Sequence, residues 1–215
     1  MNPLLAGLLL LAYLIGSLSG SLIVGRLQGV DIRAQGSGNA GATNALRTRG
    51  WRFALATALL DFGKGTMAAL LLPWLGARMG LAADALTVAI GCVLAAAVGH
   101  CFPVWFGFRG GKGAGTLFGG LIFLLPAAAG VSLLVWLGML FLTGYVGLAT
   151  VCAGMALPLW VALSGGSGAP LLLCIAAAAL LLYMHRGNLQ RVWTGTEYCF
   201  SRVRLLPRPK RSTPP

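Results

Sequence analysis

The 215-residue chain is 58% hydrophobic and only 9% charged, with a formal net charge of +12; a soluble domain carries about 25% charged residues. A soluble core has no room for that apolar content, and several uninterrupted apolar stretches approach the roughly 20 residues that cross the hydrocarbon layer as a helix. The composition excludes an ordinary soluble domain and predicts an all-α, polytopic membrane bundle formed by a single domain over residues 1–206, with a disordered, basic, Pro-rich tail over 207–215.

In chain order, the first apolar run, Pro3 to Gly25, has no basic leader, and its nearest cation, Arg26, lies on the far side. It reads as a retained helix rather than a cleaved signal peptide. Further helices are predicted over Phe53–Leu75, Leu81–Phe102 and Ala169–Met184, with a long apolar block from Leu117 to Leu163 between the last two. Of the 16 Lys and Arg residues, 14 fall in three segments: Arg26 to Arg52, Arg109 with Lys112, and Arg186 to Arg211. Cations accumulate on the cytoplasmic side, so all three segments are expected there. Parity then requires the block to cross an odd number of times. Three crossings of about 16 residues, broken near Pro126 and Gly144, use its length best. The expected topology is seven transmembrane helices, with five as the alternative, the amino terminus outside and the carboxyl terminus cytoplasmic.

Gly16 and Gly20, Ser17 and Ser21, and Gly91, Ala95 and Gly99 repeat at four-residue spacing, a pattern that lets helix backbones approach closely in lipid. The five cysteines contain no CxxC pair and three sit in apolar runs, which points to small core residues rather than a metal site or a disulfide framework. The basic tail fits anionic lipid head groups better than nucleic acid.

The first polar loop reads Gly36-Ser37-Gly38-Asn39-Ala40-Gly41-Ala42-Thr43-Asn44-Ala45-Leu46-Arg47. Its glycines free backbone N–H groups to converge on an anion, with Arg47 as a charged clamp. The same stretch matches the dinucleotide pattern GxGxxG, with Asp61 at a tempting distance. No strand precedes it and no βαβ unit surrounds it, so that match carries little. A plain Gly/Asn-rich turn is the bland alternative, and the surplus of polar groups argues against it.

The second loop runs from His100 to Arg109-Gly110-Gly111-Lys112-Gly113-Ala114-Gly115-Thr116. Phe106 replaces the first Walker glycine and Gly113 the Ser or Thr after the lysine, so it is no Walker loop. Lys112 among glycines at a helix start suits a phosphate or a developing oxyanion; the competing reading is a positive-inside anchor. His100 reads as a helix-end hydrogen-bonding residue rather than a base. In the third element, His185-Arg186-Gly187-Asn188-Leu189-Gln190-Arg191, His185 and Asn188 share a helical face. Glu197, the tail's single acid, is expected to pair with one of its cations, in a structural or a functional role. Asp61 and Lys64, inside the second long helix, are spaced to pair; they either serve the site or buttress the loops beneath it.

Together, GSGNAGATNALR, GHCFPVWFGFRGGKGAGT and HRGNLQRVWTGTE resemble the three cytoplasmic motifs of the bacterial acyl-phosphate:glycerol-3-phosphate acyltransferases, the PlsY family, in order and with similar spacing. The resemblance includes the Asp61-x-x-Lys64-Gly65 helix; Gly115 departs from it, standing where the family usually has alanine. It implies transfer of a fatty acyl group from a long-chain acyl phosphate to the sn-1 hydroxyl of glycerol 3-phosphate, in the bacterial inner membrane, without cofactor or metal. By the same resemblance Ser37, Arg47, Lys112, His185 and Asn188 are the catalytic set. Gly36, Gly38, Asn39, Thr43, Asn44, Gly110, Gly111, Gly113 and Glu197 are candidates for substrate binding. Membrane lipids are the expected surroundings, nucleic acid is not expected, and no oligomeric state follows. The competing class, a transporter of an organic phosphate, would need ligands near the bilayer midplane and gains no support from an internal repeat.

Overall fold

The first helix starts where the sequence supplies a cap: Asn2 Oδ1 accepts from the Leu4 amide at 2.9 Å and Pro3 takes the first helical position, where its missing N–H has no intrahelical partner to lose. The computed structural model describes residues 2–205, so the tail predicted over 207–215 lies outside the described residues. Among the described residues there are α-helices and short 3₁₀ turns but no strand, as the all-α expectation requires. The helices are α1 (Pro3–Gly16), α2 (Gly20–Leu27), α3 (Ala42–Arg49), α4 (Trp51–Arg78), α5 (Ala85–Cys101), α6 (Ala114–Leu124), α7 (Pro126–Thr143), α8 (Val146–Leu163) and α9 (Gly168–Trp193).

The run predicted as one helix from Pro3 to Gly25 is two, α1 and α2, bent by 47°. A break inside an apolar segment exposes backbone groups that lipid cannot satisfy. Here α4 supplies the partners. The Gly20 amide at the start of α2 donates to Asp61 Oδ1 at 3.1 Å, and Lys64 Nζ donates to the Gly16 carbonyl at the end of α1 at 2.9 Å. Each charge sits at the helix end whose dipole it complements.

The long apolar block divides at the two expected places. Pro126 opens α7 at its first position and Gly144, with φ +74°, closes it in the left-handed region that favours glycine. By length and composition α4, α5, α7, α8 and α9 can each cross a membrane, and the bent α1–α2 pair supplies a sixth crossing if it is one span. The expected seventh is α6, but its 11 residues extend about 16 Å against a hydrocarbon thickness of about 30 Å.

Small residues set how closely the helices approach. A Cβ on Gly16 would overlap the Ala96 backbone, and one on Gly99 would overlap that of Tyr13, so α1 and α5 pack backbone to backbone as the four-residue spacing predicts. The pair α4 and α6 uses Gly65 and Gly119 in the same way, against the carbonyls of Thr116 and Phe62. Leu72, Val93, Leu117, Leu157 and Leu173 fill the core beneath.

Candidate functional site

The first loop is organised from within by Asn44, in the first turn of α3. Its Oδ1 accepts from the Ser37 amide at 2.9 Å, and its Nδ2 donates to the carbonyls of Ile32 (3.2 Å) and Gln35 (2.9 Å). Gly36 adopts φ +57° against this side chain, where a Cβ would collide with Asn44 Oδ1. Only glycine suits both constraints.

The second loop is tied to the end of α5 and to the first loop. The Gly110 and Gly111 amides donate to the carbonyls of Cys101 (3.2 Å) and His100 (3.1 Å), satisfying two acceptors at the helix end. Gly111 fits between the His100 ring and the Ala40 carbonyl with no space for a side chain. Arg33 pairs with Asp31 at 2.8 Å and donates to the carbonyls of Phe106 and Arg109, joining the loops from outside. Neither α3, which opens after Gly41, nor α6, which opens after Gly113, has a capping side chain on its first amides. Both helix starts border one cavity. Two uncapped N-termini give it the partial positive charge and N–H groups that suit an anion.

From α9, His185 and Asn188 face the same cavity and are buried. His185 Nδ1–H donates to the Leu181 carbonyl at 2.8 Å, which makes Nε2 the acceptor of the neutral ring. Asn188 uses both ends of its amide: Oδ1 accepts from Lys112 Nζ, and Nδ2 donates to Glu197 Oε1 at 2.8 Å. Glu197 Oε2 accepts from Arg191 Nε at 2.7 Å. The cation expected to pair with Glu197 is therefore Arg191, and the buried acid holds Asn188 in turn. Burial, reinforced by the Arg191 and Arg47 charges, pushes the Lys112 ammonium down to about 8, against a smaller pull upward from Glu197. Burial likewise lowers Arg47, which stacks against Tyr198 and Phe200 just after α9. Nothing in the sequence marks either ring, since aromatics after a membrane helix signal nothing until the fold brings Arg47 to them.

The cavity encloses about 440 Å³ and has two characters. Ser37, Arg47, Lys112, His185 and Asn188 line its polar part, with Asn39, Thr43, Asn44 and Gly113; Leu117, Phe118, Leu121, Trp136, Leu157 and Leu181 line the rest. Gly36, Gly38, Gly110, Gly111 and Glu197 are outside that lining, in the loops and the segment that support it. Asp61 and His100 reach the wall from below, with His100 Nδ1 at 3.3 Å from Asp61 Oδ1. This is a His–Asp contact that no local spacing in the sequence provides. Lys64 Nζ lies 2.8 Å from the same Nδ1, and an ammonium can only donate. Nδ1 accepts, the neutral ring carries its proton on Nε2, and no lone pair is left to take one from a substrate.

A family model described as glycerol-3-phosphate acyltransferase matches residues 6–195. A glycerol-3-phosphate acyltransferase of a Synechococcus strain is 40% identical over 197 residues, covering 90% of this chain and 95% of the relative. One from Prochlorococcus marinus is 44% identical over 193 residues, covering 88% and 91%. Two crystal structures of PlsY (YgiH), an integral membrane glycerol 3-phosphate acyltransferase, are similar throughout. The glycerol 3-phosphate form aligns with TM-score 0.81 at 36% identity and the lysophosphatidic acid form with TM-score 0.79 at 35% identity, each covering 91% of this chain and 95% of the other.

Proposed function

This chain belongs to the glycerol-3-phosphate acyltransferase family, and on that premise we propose that it transfers a fatty acyl group from a long-chain acyl phosphate to the sn-1 hydroxyl of glycerol 3-phosphate. The products are lysophosphatidate and inorganic phosphate, the first step of phospholipid synthesis. The observation that carries the reading is that one cavity has both an anion-binding part and an apolar part. One substrate brings a long alkyl chain and the other a small dianion, and a site of this kind accommodates both.

The chemistry asked of the protein is modest. The glycerol hydroxyl oxygen attacks the acyl carbonyl carbon, the bond from that carbon to the phosphate oxygen breaks, and the leaving phosphate can carry away the hydroxyl proton. Arg47, Lys112 and the N-termini of α3 and α6 hold two mutually repelling phosphates together and stabilise charge developing on the carbonyl oxygen. Ser37, Asn188 and the Nε2 acceptor of His185 orient the reacting groups. Asn44, Gly110, Gly111 and Glu197 contribute through the backbone and side chains that they hold.

Residues 1–206 act as one catalytic domain in the bacterial inner membrane, with the cation-rich loops cytoplasmic. Cysteines introduced at Arg49, Arg109 and Trp193 of a cysteine-free protein should all label from the cytoplasmic side; labelling of any one from outside overturns that orientation. The reaction is tested by supplying purified protein with both substrates and measuring lysophosphatidate, alongside glycerol 3-phosphate uptake into sealed vesicles. Uptake without product would make the protein a transporter.

A further inference from the structure

The short segment after α9 runs from the end of that helix to the turn between α7 and α8 and is fastened at both. Upstream, buried Glu197 binds Asn188 and Arg191. Downstream, the Phe200 amide donates to the Gly144 carbonyl at 2.9 Å and the Leu205 amide to the Phe141 carbonyl at 2.7 Å, pinning the segment to the turn between α7 and α8. Gly144 leaves no space for a Cβ beside Cys199 Sγ, so the segment lies directly on that turn.

Tyr198 follows the first fastening directly and Phe200 carries the second. Their centroids are 5.0 Å apart and their planes meet at 77°, so the rings form a corner. The Arg47 guanidinium carbon sits in it, 4.2 Å from the Tyr198 centroid and 4.9 Å from that of Phe200. Among the described residues no carboxylate forms an ion pair with Arg47, and its Nε, shut away from water, has no hydrogen-bond partner. The carboxylate nearby, Glu197, is engaged by Asn188 and Arg191.

We propose that Tyr198 and Phe200 are positioning residues that hold the Arg47 guanidinium ready for an anionic substrate without neutralising it. A carboxylate could fix an arginine equally well, but it would cancel the charge that a phosphate needs. An aromatic quadrupole attracts the cation while leaving its net charge intact. Arginine is otherwise a flexible side chain, and restricting it before binding lowers the entropy lost when the anion arrives. The identity of that anion, a phosphate of one of the two substrates, rests on the acyl-transfer reading; the corner itself does not.

The test is Tyr198→Leu and Phe200→Leu in the full-length protein, with Tyr198→Phe as the conservative control. Each leucine variant should raise KM for one or both phosphate substrates by about 3- to 10-fold, the strength of a partly exposed cation–π contact. Saturating substrate draws Arg47 into place, so kcat should stay near that of the wild type. Tyr198→Phe keeps the ring and should keep the wild-type KM. A merely structural role would reduce the active fraction, lowering kcat at unchanged KM; unchanged KM for both substrates in both leucine variants overturns the proposal. Inorganic phosphate binding, followed by phosphorus NMR titration of the same proteins, should weaken by a similar factor, and equal affinity for wild type and both leucine variants also overturns it. That arm requires no turnover. Wild-type protein that binds phosphate but forms no lysophosphatidate would defeat the acyl-transfer reading and leave the corner to be decided by phosphate affinity alone.

Discussion

Lys64 Nζ lies 3.0 Å from Asp61 Oδ1, one turn earlier on α4, and between them the two groups satisfy both ends of the break that separates α1 from α2. Gly16, Asp61 and His100 together take all three hydrogens of the ammonium. Removing one charge strands the other in an apolar surround. Asp61→Asn and Lys64→Met should each destabilise the protein by about 3–5 kcal/mol, while the double substitution, which strands no charge, should cost less than either. Thermal unfolding in detergent measures this, and a double variant as unstable as the sum of the singles would show that the pair is not what matters.

Lys112→Ala and Arg47→Ala should each lower turnover by about 100- to 1000-fold while the protein still inserts in the membrane, the usual loss for a charge aimed at an oxyanion in a partly dehydrated site. His185→Ala should cost less, since its ring orients a hydroxyl instead of holding a phosphate. Near-normal turnover for either cation variant would return that residue to the role of a positive-inside anchor.

The lowered Lys112 sets an alkaline limit. With its ammonium held down to about 8, the charged form prevails below that pH and is lost as pH rises through it. Since kcat/KM reports the free enzyme, it should fall above about pH 8. The kcat profile should hold to higher pH, because a bound phosphate favours the charged form. Lys112→Arg, permanently charged, should lose that descending limb even if its activity is low. A wild-type kcat/KM that stays flat to pH 10 contradicts the assignment.

The donor prediction follows from the state of the two histidines. Acyltransferases that use acyl-CoA or acyl carrier protein commonly employ a His–Asp base with four residues between the two, and here Trp105 and Gln190 stand at the acid's positions. The one His–Asp contact among the described residues, His100 with Asp61, is occupied by Lys64. An acyl phosphate needs no such base, because its leaving group accepts a proton. Purified protein should turn over acyl phosphate, releasing phosphate in step with product, and should not use acyl-CoA; efficient turnover of the thioester sinks this assignment.

Composition alone placed the chain in a membrane, and local chemistry alone divided the long block, since Pro126 and the left-handed Gly144 act on their own backbone whatever surrounds them. The three polar segments were legible for the same reason: polar residues amid apolar runs stand out residue by residue. The break between α1 and α2 left no such mark, because no residue from Gly16 to Gly20 has a positive φ and no proline lies there; it exists because charges from α4 satisfy it. Only the fold decided that the Gly110 and Gly111 amides close α5 while the uncapped amides open α3 and α6, that Asn44 organises its own loop, and that an aromatic corner receives Arg47. Each of these depends on which distant groups come within about 3 to 5 Å of one another, and a partner's identity is a property of the packed chain that no window of sequence contains.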